Sequence, residues 1–317
     1  MVNQPLNPNF FASIRHRCVQ DLAWCLFSPP LIADTGAHKS HTVTPTATAL
    51  NRIRALDNDP SPLEKWLSSG SSQRLGLIFE RFWQFWWQQD SDGSQWQFNQ
   101  QINRDGRTLG ELDALQWQPD TCALTHYELA VKFYLQVPAS ALSLIEPDAL
   151  SYHWVGPNLF DRLDLKWPQM RDRQLTMLSD ASRCPELPWT ADTLITKSLT
   201  RGRLFTPRFS YPELSNLPLA SDINPQHDRG QWLHLNDWPR LESAHWKLLH
   251  RQDWFAPVHG SLNNEFAPLT NTQAFKALSR HFEQFRQPAQ IVRLEIDDTR
   301  YRELERLFIV PPNWPCH

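Results

Sequence analysis

Gly110-Glu-Leu-Asp-Ala-Leu-Gln116, followed after a short break by His126-Tyr-Glu-Leu-Ala-Val-Lys-Phe-Tyr-Leu135, is the stretch on which the reading of this chain turns. Side chains alternate along a strand, so Glu111 and Asp113 share one face and Leu112 and Ala114 take the other. The same parity puts His126, Glu128, Ala130 and Lys132 together, with Tyr127, Leu129, Val131 and Phe133 behind. A turn at Gln118-Pro-Asp120 joins the two runs as a hairpin. Glu111, Asp113, Glu128 and Lys132 are then expected on one side of adjacent strands. Isolated charges in apolar strands are costly, which favours a shared polar site. Three carboxylates and one ammonium suit a hard divalent cation, Mg²⁺ or Mn²⁺, bound through oxygen.

Working outward, Leu75–Gln89 has the apolar spacing of a helix, with Glu80 in its most apolar part. Strand-like runs follow at Trp96–Ile102, Thr108–Gln116 and Cys122–Leu135, with a turn at Arg104–Arg107. A helix leading into hairpin-linked strands is an α/β unit. On the N-terminal side the spacing predicts an entry helix over 9–27, a mobile loop over about 33–47 and short helical pieces over 50–70. On the C-terminal side, Trp154-Val-Gly-Pro-Asn158 is a loop, and Leu163, Met170, Leu175 and Leu178 continue as a helix that carries Gln174. Strands are expected at 193–199, 203–209, 290–296 and 307–310, and helices at 240–251 and 272–286.

A helix bearing Glu80, then Gly-Glu-Leu-Asp, then a strand bearing Glu128 and Lys132 resembles the PD-(D/E)XK nuclease superfamily, with its restriction-endonuclease-like fold. GELD…HYELAVKFYL, WVGPNLFDRLDLK and FIVPPNWP together also resemble a bacterial family known only as a domain of unknown function. The nuclease resemblance implies an α/β core at 70–180, an N-terminal helical cap at 1–70 and a mixed α/β C-terminal region, 181–317, packed on the core. It further implies a Mg²⁺- or Mn²⁺-dependent phosphodiesterase acting on DNA. In that mapping Asp113 and Glu128 hold the metal with Glu111 beside them, Lys132 is the catalytic cation, and Glu80 and Gln174 support the site.

The superfamily has one residue between acid and lysine, whereas Glu128 and Lys132 are separated by three, so Ala130 occupies the expected acid position. That spacing keeps open a catalytically inactive nuclease-fold module that binds nucleic acid or a protein partner. It also keeps open a structural role for the charges, with Glu80 and Lys132 as an ion pair. Asp164-Leu-Lys166 has the literal acid-x-lysine spacing but reads as a solvated helix start, capped by Asp161 or Asn158.

Composition narrows the classes further. Lys and Arg number 31 against 34 Asp and Glu, so any phosphate contact must be local. One acid-free window, 193–212, holds Lys197, Arg201, Arg203 and Arg208 and is the candidate nucleic-acid-binding surface. Fifteen tryptophans mark a core or a partner-docking surface. The five cysteines make no CxxC and no zinc-ligand spacing. With no apolar run long enough for a membrane and no apolar signal core, a cytoplasmic location is expected.

Overall fold

Residues 8–35, 39–70, 72–89, 92–104, 107–142, 152–178, 187–262 and 266–315 are described by a computed structural model. Three strands form an antiparallel meander: β1 (Gln95–Arg104), β2 (Arg107–Gln118) and β3 (Ala123–Pro138). The β2–β3 turn closes on Cys122 in a left-handed conformation. One face of β3 carries Tyr127, Val131 and Phe133, which join Phe79, Phe82 and Trp83 of helix α5 (Leu75–Gln88) in the main core. The other face carries Ala130 and Tyr134, which pack with Leu163 and Trp167 of helix α6 (Leu163–Gln169). The sheet is thus covered on both faces.

Beyond residue 180 the chain extends this sheet rather than packing on it as a separate layer. Strand β5 (Thr193–Pro207) runs parallel to β3 from Ala123↔Thr193 to Leu135↔Phe205. β5 unites what sequence spacing predicts as two strands, and Gly202 explains how. It sits opposite Lys132 with φ near +154°, where a Cβ would come within 1.9 Å of the Lys132 carbonyl oxygen. Beyond β5 follow β6 (Asp228–His234), β10 (Arg300–Val310), β9 (Ala289–Ile296) and β7 (His245–Leu248), giving the order β1-β2-β3-β5-β6-β10-β9-β7. β4 (Tyr152–Val155) pairs with β3, and β8 (His259–Ser261) with β10.

The edge of β3 that faces away from β5 is split. β2 occupies it over residues 123–127 and β4 over residues 135–138. Between them, residues 128–134 have no strand neighbour on that edge among the described residues.

Several expectations are corrected. The entry helix divides into α1 (Pro8–Ser13) and α2 (Arg17–Phe27), because Asp57 takes the backbone N–H groups of Arg15 and His16 at 2.8 and 2.9 Å. Asp57 belongs to α3 (Ala47–Asn58), which with α4 (Ser61–Ser68) matches the expected helical pieces. The loop expected to be mobile is pinned where it is described. His41 N donates to Ser198 O at 2.7 Å and Ser198 N to Lys39 O at 3.0 Å, while residues 36–38 lie outside the described set. The expected helix at 240–251 is a strand, β7, flanked by short 3₁₀ turns, because Trp246 fills the core only when β7 pairs with β9. The helix at the C-terminal side forms as α7 (Asn271–Gln284), started by a capping box between Thr270 and Gln273. The tryptophans are core or partly covered residues, and none is among the exposed large hydrophobic side chains. Among the described residues, no helix is long and apolar enough to cross a membrane, and Cys18, Cys25 and Cys122 are free.

Gly202→Ala is expected to lower stability by about 2–4 kcal/mol, because the added methyl must push β5 away from β3. A urea midpoint equal to that of wild type would show that this close approach carries no constraint.

Candidate functional site

The split in the β3 edge starts at Asp113. Its Oδ2 accepts the backbone N–H of Leu129 at 2.7 Å, taking the place of a strand partner just where β2 and β3 part. Across from Asp113 on β1, Asn99 adopts φ near +53°, between the pairs Phe98↔Ala114 and Gln100↔Leu112. Asn tolerates this left-handed conformation better than most residues. Alternation fails here: Ala114 faces the α5 core, while Leu112 and Leu115 share a single cluster on the other side. The simple parity that groups Leu112 with Ala114 is therefore corrected.

The twist at Asn99 ties α5 to β2. The Asn99 side-chain amide donates to Glu111 Oε1 at 3.2 Å and to Glu80 Oε2 at 3.5 Å, while its oxygen accepts from Gln84 Nε2 at 3.0 Å. Glu80, which the helical pattern places inside an aromatic face, is thereby aimed at the β2 carboxylates.

Glu128 is completely buried. Its Oε1 lies 2.9 Å from His126 Nε2, and its Oε2 accepts from Gln174 Nε2 at 2.7 Å. Gln174 in turn accepts from Lys166 Nζ at 3.1 Å. These last two residues stand eight apart, and they meet because α6 widens into a π-turn at Met170–Gln174, closed by Leu175 N to Met170 O at 2.9 Å. Such turns recur at functional sites. His126 Nδ1 is buried without a partner, so the tautomer that strands no N–H places its proton on Nε2, donating to Glu128.

Burial pushes the Glu80 carboxyl up to about 7, with Asp113 and Glu111 adding to the rise. Burial also raises Asp113 to about 7, reinforced by the charge of Glu128. Glu128 rises to about 8 through burial, with Glu80 and Glu111 adding and Lys166 opposing. Burial drops His126 to about 4, so it is neutral at physiological pH. The carboxylates thus raise one another's pKa, and among the described residues no Lys or Arg forms an ion pair with any of them. As they stand, no three His, Cys, Asp or Glu side chains among the described residues close into a ready set of metal ligands.

The other sequence candidates lie elsewhere. Lys132 Nζ pairs with Asp161 at 2.5 Å, and Tyr134 donates to the same carboxylate at 3.0 Å. Lys132 therefore joins neither Glu80 nor Glu128, and Asp161 does not cap α6. Ala130 packs in the core beneath α6. Arg201 and Arg203 are buried, not surface cations. Arg201 bonds to the carbonyls of Leu26 and Thr200 at 3.1 and 2.9 Å, and Arg203 to Asp228 at 3.3 Å. Lys197 is half-buried, 5.5 Å above the Tyr127 ring. Sequence reasoning missed Asn99, which carried no signal, and Lys166, whose signal was the literal Asp164-Leu-Lys166 spacing. Asp164 of that triplet pairs with Arg162 and His153, away from the cluster.

The raised pKa values fix the sign of a pH effect. The folded chain holds protons on Glu80, Asp113 and Glu128 that the unfolded chain releases near pH 4, so their contribution to stability falls as pH rises from about 4 toward 8. Asp113→Asn and Glu128→Gln are expected to flatten that fall in thermal unfolding across this range. A wild-type decline no steeper than that of either variant would contradict the coupling.

No curated protein and no solved structure matches the chain. A family model described as a domain of unknown function, DUF1853, matches residues 20–310, and the chain belongs to that family.

Proposed function

We propose that the chain is a Mg²⁺-dependent phosphodiesterase acting on DNA, built on a core of the PD-(D/E)XK type. The observation that supports this reading is that Glu80, Asp113 and Glu128, with Glu111 at the rim, lie near enough on one helix and two strands for their charges to repel, with no Lys or Arg ion-paired to them among the described residues. A structural network would be expected to hold a lysine or arginine there. The donor set, all carboxylate oxygen, fits a hard divalent cation. Asp113, Glu128 and Glu80 would hold it, once Glu128 turns from His126 and Gln174. Bound there, it would supply a lowered water pKa and neutralisation of phosphate charge.

The remaining tasks fall to this chain's own groups. Gln174, hydrogen-bonded to Glu128 at 2.7 Å, is the group Glu128 leaves on turning to the cation, and it keeps Lys166 beside the cluster. Lys166, held by Gln174, is a cation whose charge acts on Glu128, and it takes the electrostatic role that the resemblance implied for Lys132. A second reading, a non-cutting module that binds nucleic acid or a protein, is favoured by the Lys132–Asp161 pair and by Ala130 at the acid position.

Supercoiled, nicked, flapped and single-stranded DNA, with RNA as comparison, should be incubated with Mg²⁺ or Mn²⁺. Cleavage by wild type is expected to fall at least ~100-fold in Asp113→Asn and Glu128→Gln, and ~10-fold or more in Lys166→Met. Lys132→Met should stay close to wild type. Equal trace activity in every variant would transfer the assignment to the non-cutting module.

Metal binding has a separate readout. Millimolar Mn²⁺ is expected to raise the wild-type melting temperature at pH 8 and to leave that of Asp113→Asn unchanged, since a ligand bound only to the folded state stabilises it. An equal shift in both proteins would remove the cation from the cluster.

A further inference from the structure

The open stretch of β3 forms one wall of a cleft of about 750 Å³, whose opposite side comes from the β7–β9 end of the sheet. The N–H of Leu129 points to the open edge, where Asp113 takes it, and the carbonyl of Lys132 points toward β5. Alternation therefore turns the backbone groups of Val131 and Phe133 into the cleft edge. Both residues line it, as do Arg74, Lys132 and Arg251, and Asp161 is the one acidic lining residue.

Arg74 and Arg251 are exposed and have no acidic partner among the described residues. Arg74 is also the N-cap of α5, with no side-chain cap, and Leu75 and Gly76 of its first turn line the cleft. The free N–H groups and positive end of a 14-residue helix thus face the same space as the two arginines. Independently, Gln290 lines the cleft, is fully buried, and its Nε2 has no hydrogen-bond partner. Unsatisfied buried donors are rare in folded proteins and call for an acceptor. The side chains of the cleft that lack an acidic or accepting partner, Arg74, Arg251 and the Gln290 amide, are donors or positive charges, in a chain whose formal net charge is −3.

We infer that this cleft binds the phosphate backbone of a single nucleic-acid strand, laid along the open edge of β3 with its next phosphate toward Asp113 and Glu128. The identity of the ligand as a strand rests on the phosphodiesterase reading; the anion site does not. A recess of this volume falls in the usual range for small-ligand pockets, roughly 300–1,000 Å³, and admits one or two nucleotides but not a duplex.

The test is fluorescence anisotropy of a labelled single-stranded oligodeoxynucleotide with the full chain in EDTA, where nothing is cut. The double variant Arg74→Gln/Arg251→Gln, at two exposed positions, should bind at least tenfold more weakly, with its salt dependence shallower by about 1.4 log units per log unit of salt, two phosphates at about 0.7 each. Failure of wild type to bind, or equal binding by the double variant, would overturn the inference. So would competition by inorganic pyrophosphate as effective as by unlabelled strand, since that identifies a small phosphate compound. Arginine-dependent binding by a protein that never cleaves would overturn only the phosphodiesterase reading, and cleavage with arginine-independent binding only this one.

Discussion

One hydrogen bond, from the backbone N–H of Leu129 to the carboxylate of Asp113, organises what surrounds it. A regular hairpin would carry the β2–β3 ladder past Tyr127 and use that N–H for a backbone carbonyl. By taking it with a side chain, Asp113 ends the ladder, stands beside Glu128 and leaves residues 128–134 of β3 with an open edge. A buried carboxylate gains from a backbone donor, but a single bond does not offset burial next to a second acid. The balance shows in the carboxyls themselves, which rise to about 7 or 8.

Elements whose signals are local were legible in the sequence. The apolar stripe of α5, the three-stranded meander and helix α7 all formed close to where pattern placed them. Pairing between distant segments was not legible. β10 is polar and half exposed through its first six residues and enters the core only from Leu307 onward, so its first half has no apolar alternation to detect. In the 240–251 segment, Leu241, Trp246 and Leu249 have near-helical spacing, yet Trp246 is buried on a strand paired with β9 and Leu249 joins a different core cluster. Arg201 and Arg203 misled for a related reason. Charge in a sequence reads as surface, whereas the carbonyl of Leu26 and the carboxylate of Asp228 that satisfy them inside are distant in the chain.

The candidate site divides along the same line. Its carboxylates were legible because acids interrupt apolar runs at Asp113 and Glu128. The partners that set their behaviour were not. Asn99 matters through a left-handed φ that breaks alternation in both β1 and β2, and Lys166 reaches the cluster only because α6 loosens into a π-turn. The resemblance put the catalytic cation at Lys132, which lies on the same strand as Glu128. Its four-residue separation, roughly 13 Å along an extended chain, instead carries it to Asp161.

That separation gives the open edge of β3 two opposite ends. At Asp113 and Glu128 negative groups crowd together with only the distant opposition of Lys166, and added positive charge relieves them. Past Lys132, whose charge Asp161 offsets, the uncapped start of α5 with Arg74 and Arg251 is short of negative charge. A neutral ligand would relieve neither end, and an anion alone would worsen the first. A phosphodiester that arrives with a divalent cation answers both, because the cation sits among the carboxylates while the backbone charge continues toward the arginines.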